Sequence, residues 1–292
     1  MCRLFATISN TEVDANYLLE RASQSLLFQS QVKRKELQKD GWGIGWFEKG
    51  RPKILKSPKP IYRDHDLLRR AMRRARGKVL VGHVRWASNP LKLPKNHLIG
   101  RLHSQPFSFR PWLFVHNGTL LIPKEVREAL GPMDKCIKGN NDSEVFFYWL
   151  MKNFKDSKVG PLTPALSRKG RGKIMSVVRR SLRGIETIWE TCRKKYPLYK
   201  YPYHGLNWVL TNGKILIAMC YVNPGGFGKA KALCDRRKPY YQLQLSVTPK
   251  EVCVASEPLD SRRPWKAMSH GEIVIATRTK NSVKMEMHRV DV

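Results

Sequence analysis

The sequence predicts an α+β fold in which helices cover two stacked, mainly antiparallel sheets. Short β-rich runs separated by turn residues fill the second half, and Asn212-Gly213 between two apolar runs is a strong hairpin signal. Three or four helical patterns occur in runs beside these strands. Strands and helices that are segregated in this way are typical of layered α+β domains.

Length and composition predict one globular domain over residues 2–292. The chain has 292 residues, of which 41% are hydrophobic, enough for one large core. No apolar stretch approaches the roughly 18 residues of a membrane span. The polar run at 9–12 argues against a signal peptide. We therefore expect a cytoplasmic protein without membrane association.

The six cysteines are scattered and form no C-x-x-C pair. This spacing favours neither a zinc site nor a disulfide framework. We expect no metal and no cofactor, and we interpret five of the six cysteines as reduced structural thiols.

The charge is strongly unbalanced, with 55 Lys and Arg against 23 Asp and Glu and a formal net charge of +32. Such a field attracts polyanions, so RNA or another polyanion is a candidate partner. Residues 66–78 predict a helix that ends at Gly77, with apolar residues on one stripe and five arginines off it. A solvated basic face and an RNA-binding helix both fit, and the absence of interleaved aromatic residues favours the solvated face.

A second basic run extends over residues 155–183 and contains nine basic residues. Pro161, Pro164, Gly170 and Gly172 interrupt it. This composition is typical of linkers. The sequence therefore predicts a basic inserted surface loop at about 155–183, with a helix over roughly 182–195 at its end.

The first half of the chain predicts a strand in CRLFATIS that begins almost at the N-terminus, so that a sheet holds position 2. A helix is expected over about 12–29, followed by a hairpin that turns at Gly50. Apolar runs at 79–84 and 112–120 predict two buried strands.

Seven short motifs stand out by their order and spacing: MCRL at 1–4, DGWGIGW at 40–46, GHVRWAS at 82–88, QPF at 105–107, HNG at 116–118, NDSE at 141–144 and VASEPL at 254–259. Together they resemble the class II glutamine amidotransferases of the N-terminal nucleophile hydrolase superfamily. The stand-alone members, which lack a fused synthase domain, are the nearest in pattern. The resemblance implies a four-layer αββα sandwich that hydrolyses the side-chain amide of glutamine and releases ammonia.

The resemblance implies that Cys2 is the nucleophile, exposed as the first residue once Met1 is removed. A free α-amino group titrates at about 7.7–8.0 and can accept the thiol proton near neutral pH. The implied oxyanion donors are the Asn117 side-chain amide and the Gly118 backbone N–H. Without the other motifs, Cys2 is a buried strand cysteine and the Asn-Gly pair is a hairpin turn.

Glutamine carries an α-carboxylate and an α-ammonium, which a guanidinium and a carboxylate can bind. The resemblance assigns Arg85 and Asp142 to these roles. It also places Trp86 and Ser88 where family members shape the glutamine pocket. On local pattern alone, Arg85 is a surface residue at a strand end, Trp86 is a core residue, and either Asp142 or Ser143 caps a helix.

Many relatives have a histidine directly before the Pro-Phe pair, whereas here Gln105 occupies that position. The nearest histidine is His103, and a lone loop histidine is more often structural or solvated than functional. We therefore assign no site role to either residue.

We expect a glutaminase that forms a γ-glutamyl thioester on Cys2. It would deliver ammonia to an acceptor that the sequence does not name, and an acceptor-enzyme subunit is a candidate partner. A γ-glutamyl peptide or thiol hydrolase that uses the same site is the alternative. A different class of hypothesis is a basic nucleic-acid-binding protein on this fold, motivated by the charge of +32.

Overall fold

The computed structural model describes residues 2–32, 37–157, 168–224 and 231–291. Within these ranges the chain forms two stacked sheets of antiparallel strands, with helices on both outer faces. The predicted α+β class and its αββα layering are confirmed. None of the described helices is apolar over a length that could cross a membrane.

The described strands, numbered in chain order, are β1 Arg3–Asp14, β2 Trp42–Glu48, β3 Arg51–Ser57, β4 Arg76–Val84, β5 Phe107–Phe109, β6 Trp112–Leu120, β7 Tyr203–Thr211, β8 Ile215–Met219, β9 Gln244–Val247, β10 Glu251–Ala255, β11 Trp265–Ala267, β12 Glu272–Arg278 and β13 Val283–Arg289. The first sheet has the order β11-β9-β10-β1-β4-β2-β3. The second sheet has the order β13-β12-β8-β7-β6-β5.

The described α-helices are α1 Leu26–Gln29, α2 His65–Arg74, α3 Pro123–Glu128, α4 Asp142–Asp156 and α5 Arg168–Cys192. A π-helix at Tyr17–Arg21 precedes α1. Short 3-10 helices lie at Ile61–Arg63, Lys95–His97, Arg101–His103, Gly131–Cys136 and Arg193–Lys195.

Successive side chains of β1 lie on opposite faces of its sheet, as the two-residue period of a strand requires. Leu4, Ala6 and Ile8 are buried in an apolar cluster between the two sheets, together with Val115 of β6. Phe5 lies on the outer face, among residues of the π-helix, α1 and α2. Helices α3, α4 and α5 cover the outer face of the second sheet. The first seven residues of β1 are therefore buried on both faces.

Strand β1 lies between β10 and β4, and its register aligns Arg3 with Val84, the last residue of β4. Cys2 therefore lies beside the point where the chain leaves β4 and continues into Arg85. Because a central strand is fixed by neighbours on both sides, the sheet determines the position of Cys2, as the sequence predicts.

Both predicted hairpins are confirmed. Strands β2 and β3 are joined at Gly50, whose φ of 74° favours glycine. Strands β7 and β8 are joined at Asn212-Gly213, and Gly213 has a φ of 81°. The two buried strands predicted from apolar runs are β4 and β6.

The helix predicted over 12–29 begins too early and is interrupted at 22–25. Strand β1 continues to Asp14, because Val13 and Asp14 pair with Gly77 and Arg76 of β4. The helical parts of this segment are residues 15–16, the π-helix and the four-residue α1. Pairing with a strand distant in sequence overrides local helical periodicity.

The basic helix ends earlier than the sequence predicts. Helix α2 ends at Arg74, whereas Gly77 lies in β4 with a φ of 151°. Leu68 and Ala71 of α2 are buried and its arginines are exposed, so the predicted apolar stripe is confirmed.

The surface loop predicted at 155–183 is wrong at 155–156, where helix α4 ends, and from residue 168 onward, where helix α5 begins. Residues 158–167 of the predicted loop lie outside the described residues. The composition indicated a linker because the exposed face of α5 is basic, and the composition of one helix face says nothing about the face that is buried. The buried side chains that recur along α5 and pack in the cluster with α4 are Ile174, Val177, Val178, Leu182, Ile185 and Trp189.

Candidate active site

Cys2 lies at the start of β1 with 9% of its surface exposed. Its thiol donates a hydrogen bond to the carbonyl oxygen of Trp86 at 3.4 Å. Burial raises the pKa of this thiol, and the nearby positive charge of Arg85 opposes that increase. A thiol with a raised pKa needs a base to become a nucleophile near neutral pH.

Two side chains hold the backbone carbonyl of Cys2. Arg3 Nη1 and the Tyr240 hydroxyl each donate a hydrogen bond to this oxygen at 3.2 Å. The guanidinium carbon of Arg3 also lies 3.7 Å from the centre of the Tyr240 ring, in a cation–π contact. Arg3 and Tyr240 therefore hold each other as well as the residue that carries the thiol.

Arg3 is fully buried, and Glu257 supplies its counter-charge, with Arg3 Nε 3.2 Å from Glu257 Oε1. The Glu257 carboxylate also accepts hydrogen bonds from the backbone N–H groups of Leu233 and Cys234, each at 2.7 Å. A buried charge is tolerated when it is paired and hydrogen-bonded in this way. The ion pair joins the start of β1 to the segment that follows β10.

Arg85 is buried directly after β4. Its Nη1 donates hydrogen bonds to the carbonyl oxygens of Leu98, at 2.7 Å, and Asp40, at 3.4 Å. Burial lowers the pKa of the guanidinium, whereas the charges of Cys2 and Asp142 raise it. Both of these hydrogen bonds go to neutral carbonyl groups, so the charge of Arg85 is suited to an anionic ligand.

Asp142 is the first residue of α4 and is buried. Its Oδ1 accepts a hydrogen bond from Ser88 Oγ at 3.0 Å, and its Oδ2 accepts one from the Leu120 N–H at 2.9 Å. The N-cap is Asn141, which accepts from the Ser143 N–H, so the alternative of Asp142 or Ser143 as cap is wrong. Burial raises the pKa of Asp142, and its hydrogen bonds lower it.

Asn117 and Gly118 lie inside β6 and not in a turn. Asn117 Nδ2 donates to Ser256 Oγ at 3.3 Å, and the same oxygen accepts from the Leu4 N–H at 3.0 Å. Ser256 therefore connects Asn117 to β1. A Cβ on residue 118 would lie 1.8 Å from the carbonyl oxygen of Gly205 in β7, so only glycine permits this approach of the two strands.

The structure brings the predicted site residues together at the N-terminal end of β1. The Trp86 carbonyl contacts the Cys2 thiol, and Ser88 contacts Asp142. The charges of Arg85 and Asp142 both act on the pKa of the Cys2 thiol, and they also act on each other's pKa. Trp86 is partly exposed, which argues against its alternative as a core residue.

Gln105 and His103 have structural contacts. The Gln105 amide donates to the backbone carbonyl of His116 at 3.1 Å and accepts from the His116 N–H at 2.6 Å. His103 Nδ1 accepts from the Asn140 N–H at 3.3 Å, and its carbonyl oxygen accepts from Asn141 Nδ2 at 2.8 Å. The two residues therefore hold their loop against β6 and against the start of α4.

Sequence reasoning gave no role to Arg3, Asp40, Tyr240 and Glu257, which hold the nucleophile and its neighbours in position. A charged residue inside the apolar strand CRLFATIS indicates a buried partner, so Arg3 and Glu257 could have been singled out. No comparable signal marks Tyr240.

Replacing Glu257 by Gln is expected to destabilise the fold by about 3–5 kcal/mol, because Arg3 would lose its buried counter-charge. Urea-induced unfolding measures this loss. As a matched control, Asp235→Asn removes a solvent-accessible carboxylate that lies 2.9 Å from Arg237, and it should leave the stability nearly unchanged. Equal stability of the two variants would contradict the role given to the Arg3–Glu257 pair.

Comparison with known proteins identifies the family. The family model described as glutamine amidotransferases class-II matches residues 1–181. The chain therefore belongs to the class-II glutamine amidotransferases, and the resemblance predicted from its motifs is confirmed.

Individual relatives extend over most of the chain. YafJ of Escherichia coli (strain K12), named as a candidate glutamine amidotransferase, is 24% identical over 242 residues, covering 80% of this chain and 83% of YafJ. A glutamine aminotransferase class-II domain protein from Silicibacter pomeroyi aligns over 98% of both chains, with a TM-score of 0.58 and 15% identity. Glutamine phosphoribosylpyrophosphate amidotransferase from B. subtilis has a TM-score of 0.59 and 16% identity, covering 98% of this chain and 49% of that enzyme. The two solved structures share the fold.

Proposed function

We propose that this chain is a glutaminase whose nucleophile is the Cys2 thiolate. The observation that carries the proposal is a buried thiol whose charge environment includes one guanidinium and one carboxylate, those of Arg85 and Asp142. These two groups complement the α-carboxylate and the α-ammonium of an amino acid. An amino acid bound between them can present its side-chain amide to the thiol.

The first half-reaction releases ammonia. The α-amino group that Cys2 gains on removal of Met1 takes the thiol proton. The thiolate attacks the side-chain carbonyl carbon of glutamine, and the carbonyl π electrons move onto oxygen, where Asn117 Nδ2 and the Gly118 N–H stabilise the charge. The carbon–nitrogen bond of the glutamine side chain then breaks, as its nitrogen takes the proton from the α-ammonium group of Cys2. The products are ammonia and a γ-glutamyl thioester on Cys2.

The second half-reaction restores the thiol. The same α-amino group takes a proton from water, and the hydroxide oxygen attacks the thioester carbonyl carbon. The oxyanion forms again between the donors of Asn117 and Gly118. When it collapses, the carbon–sulfur bond breaks, the sulfur takes back the proton, and glutamate leaves.

Two features of the hydrogen bonding support these roles. The bond from Asn117 Nδ2 to Ser256 is long, at 3.3 Å, so a charged oxygen can replace the serine hydroxyl as acceptor. The oxygens of Asp142 accept hydrogen bonds from Ser88 Oγ and from the Leu120 N–H, and each carboxylate oxygen can accept more than one. An ammonium can therefore be added, while Ser88 and the partly exposed Trp86 form the pocket around it.

The ammonia needs an acceptor. The phosphoribosylpyrophosphate amidotransferase from B. subtilis is about twice as long as the part that this chain matches. We propose that ammonia passes to an acceptor-enzyme subunit, and the chemistry of that acceptor is not encoded in the site described above.

A γ-glutamyl peptide or thiol hydrolase is the second candidate. Arg85 and Asp142 would recognise the amino-acid end of the substrate and make no contact with the leaving group. Any γ-glutamyl amide therefore satisfies the same recognition, and the leaving group alone separates the two candidates.

Binding of RNA or another polyanion is the third candidate, supported by the net charge of +32. Exposed arginines lie on α2 and on α5, which belong to opposite outer layers of the sandwich. A charge spread over both layers attracts polyanions weakly and in a salt-dependent manner, and it favours a focused nucleic-acid interface less than a single basic stripe would.

Labelling with a glutamine analogue that carries an electrophilic carbon tests the glutaminase proposal. Intact-protein mass spectrometry is expected to find a chain that lacks Met1 and carries one added analogue, and excess glutamine should prevent the addition. A chain that retains Met1 and stays unmodified would contradict the proposal. Initial rates of ammonia release from glutamine, compared with amine release from γ-glutamyl dipeptides, separate the two enzyme candidates.

A further inference from the structure

A cavity of about 450 Å³ lies at the edges of the two sheets, where the edge strands β3 and β5 both contribute to its wall. Helices α2 and α4, the loop that leads into β5 and Lys138, which precedes α4, complete the lining. A volume of this size is within the range of cavities that bind small molecules. None of the residues assigned to the glutamine site lines it.

Four cationic side chains line this cavity: Lys56 of β3, Arg70 of α2, Arg101 and Lys138. Among the residues that the structure describes, none of the four pairs with a carboxylate within 4.0 Å. Glu144 is the acidic residue of the lining, and its carboxylate accepts hydrogen bonds from the backbone N–H groups of Lys138, at 3.2 Å, and Gly139, at 2.9 Å. The described lining therefore carries four positive charges against the single carboxylate of Glu144.

Lys56 is the most enclosed of these cations. Its pKa is lowered to about 8, mainly by burial, and the charges of Arg101 and Lys138 contribute to this decrease while the charge of Glu144 opposes it. Its Nζ donates to the carbonyl oxygen of Ser104 at 2.8 Å, which is a neutral partner. An anion in the cavity would relieve the repulsion among these cations.

The remaining lining is apolar and aromatic. Phe107 and Tyr148 are largely buried and contribute to the cavity wall, and Leu102 is 48% exposed at the same cavity. Cations that converge in a cavity of limited volume favour a small ligand, because a polymer requires an extended basic groove. The combination fits a charged group attached to an apolar or aromatic body.

We propose that this cavity binds a small phosphate monoester, with the phosphate held by Lys56, Arg70 and Arg101 and the ester group packed against Phe107 and Tyr148. A phosphate carries about −1.5 to −2 charges near pH 7 and offers three acceptor oxygens, which matches several converging cations better than a single carboxylate does. An arginine side chain can donate two parallel hydrogen bonds to two oxygens of one phosphate, and a lysine side chain contributes a compact positive charge.

The cavity and the glutamine site share one loop. Lys56 holds the carbonyl of Ser104, and the next residue, Gln105, is hydrogen-bonded to the backbone of His116, directly before Asn117. A ligand in the cavity can therefore act on the glutamine site through this loop. Binding itself is independent of glutaminase activity, so the two proposals can fail separately.

Isothermal titration calorimetry of the full chain with phenyl phosphate, and with phenol as the uncharged control, tests this proposal. Phenyl phosphate is expected to bind saturably at one site, and phenol is not. Lys56→Met and the more exposed Arg101→Gln should each weaken binding by about tenfold. Arg179→Gln, on the exposed face of α5, removes the same charge elsewhere and should leave binding unchanged.

Three results would overturn the proposal. The first is the absence of saturable phenyl phosphate binding at millimolar concentration, and the second is weakening of binding by Arg179→Gln as large as that by Arg101→Gln. Binding of an RNA oligonucleotide that depends on Arg179, without binding of phenyl phosphate, would assign the basic charge to a polyanion. The melting temperature of each variant shows whether it is folded at the temperature of the titration.

Discussion

Replacing Cys2 by Ala is expected to reduce glutamine hydrolysis below detection, because no other group in the proposed mechanism can form the thioester. The folded state should persist, since the variant loses only the hydrogen bond from the thiol to the Trp86 carbonyl and keeps those from Arg3 and Tyr240 to the backbone carbonyl of residue 2. Ammonia release from glutamine measures the activity. The melting temperature reports whether the fold is kept.

Two comparisons make this result specific. Cys136→Ser changes a partly exposed thiol that lies outside the site, and it should retain wild-type activity. A chain that keeps Met1 should be as inactive as Cys2→Ala, because the base of the proposed mechanism is the α-amino group of Cys2. Activity equal to wild type in either the Ala variant or the Met1-retaining chain would disprove the mechanism.

Replacing Asn117 by Ala is expected to lower kcat by about 10²–10³, with a smaller change in KM. The side-chain amide is proposed to meet negative charge that exists on the carbonyl oxygen only during the reaction. Removing such a donor affects the transition state more than the bound substrate. Steady-state kinetics with glutamine separate the two parameters.

The decrease in kcat of Asn117→Ala must be distinguished from a structural effect, because Asn117 also donates a hydrogen bond to Ser256. Asn117→Asp keeps the shape of the side chain but removes its N–H donors, so it should lose as much kcat as the Ala variant. Ser256→Ala removes the other end of this hydrogen bond and leaves the Asn117 donor in place, so a smaller loss is expected. If Ser256→Ala and Asn117→Ala lose the same activity, the oxyanion role is wrong and the contact is structural.

Strands were predicted correctly where their own residues, or the turn residues next to them, have a typical strand or hairpin pattern. Gly50 and Gly213 require a positive φ, and the apolar runs of β4 and β6 bury both faces, so local pattern was sufficient. The end of β1 and the start of α5 were missed because other parts of the chain determine them. Asp14 is in a strand because β4 pairs with it, and the basic face of α5 concealed its buried stripe.

The candidate site was predictable as a set of residue types, and the roles of its seven members stay predictions. The motifs indicated which residues come together, but the groups that hold them are more distant in sequence. Tyr240 contacts Cys2 across 238 positions, and nothing in the local sequence around Tyr240 indicates this contact. Gln105 is explained only by its two hydrogen bonds to the backbone of His116.

The central position of β1 also affects when the site can form. During synthesis, β1 emerges from the ribosome long before β10. The edge of β1 that pairs with β10 therefore stays unpaired while most of the chain is synthesised. At about 5–20 residues per second, this interval is on the order of ten seconds or more. During that time the N-terminus is accessible to the aminopeptidase that would remove Met1. A chain truncated before β10 lacks Ser256 and Glu257, so an incomplete translation product would have a thiol but no assembled site.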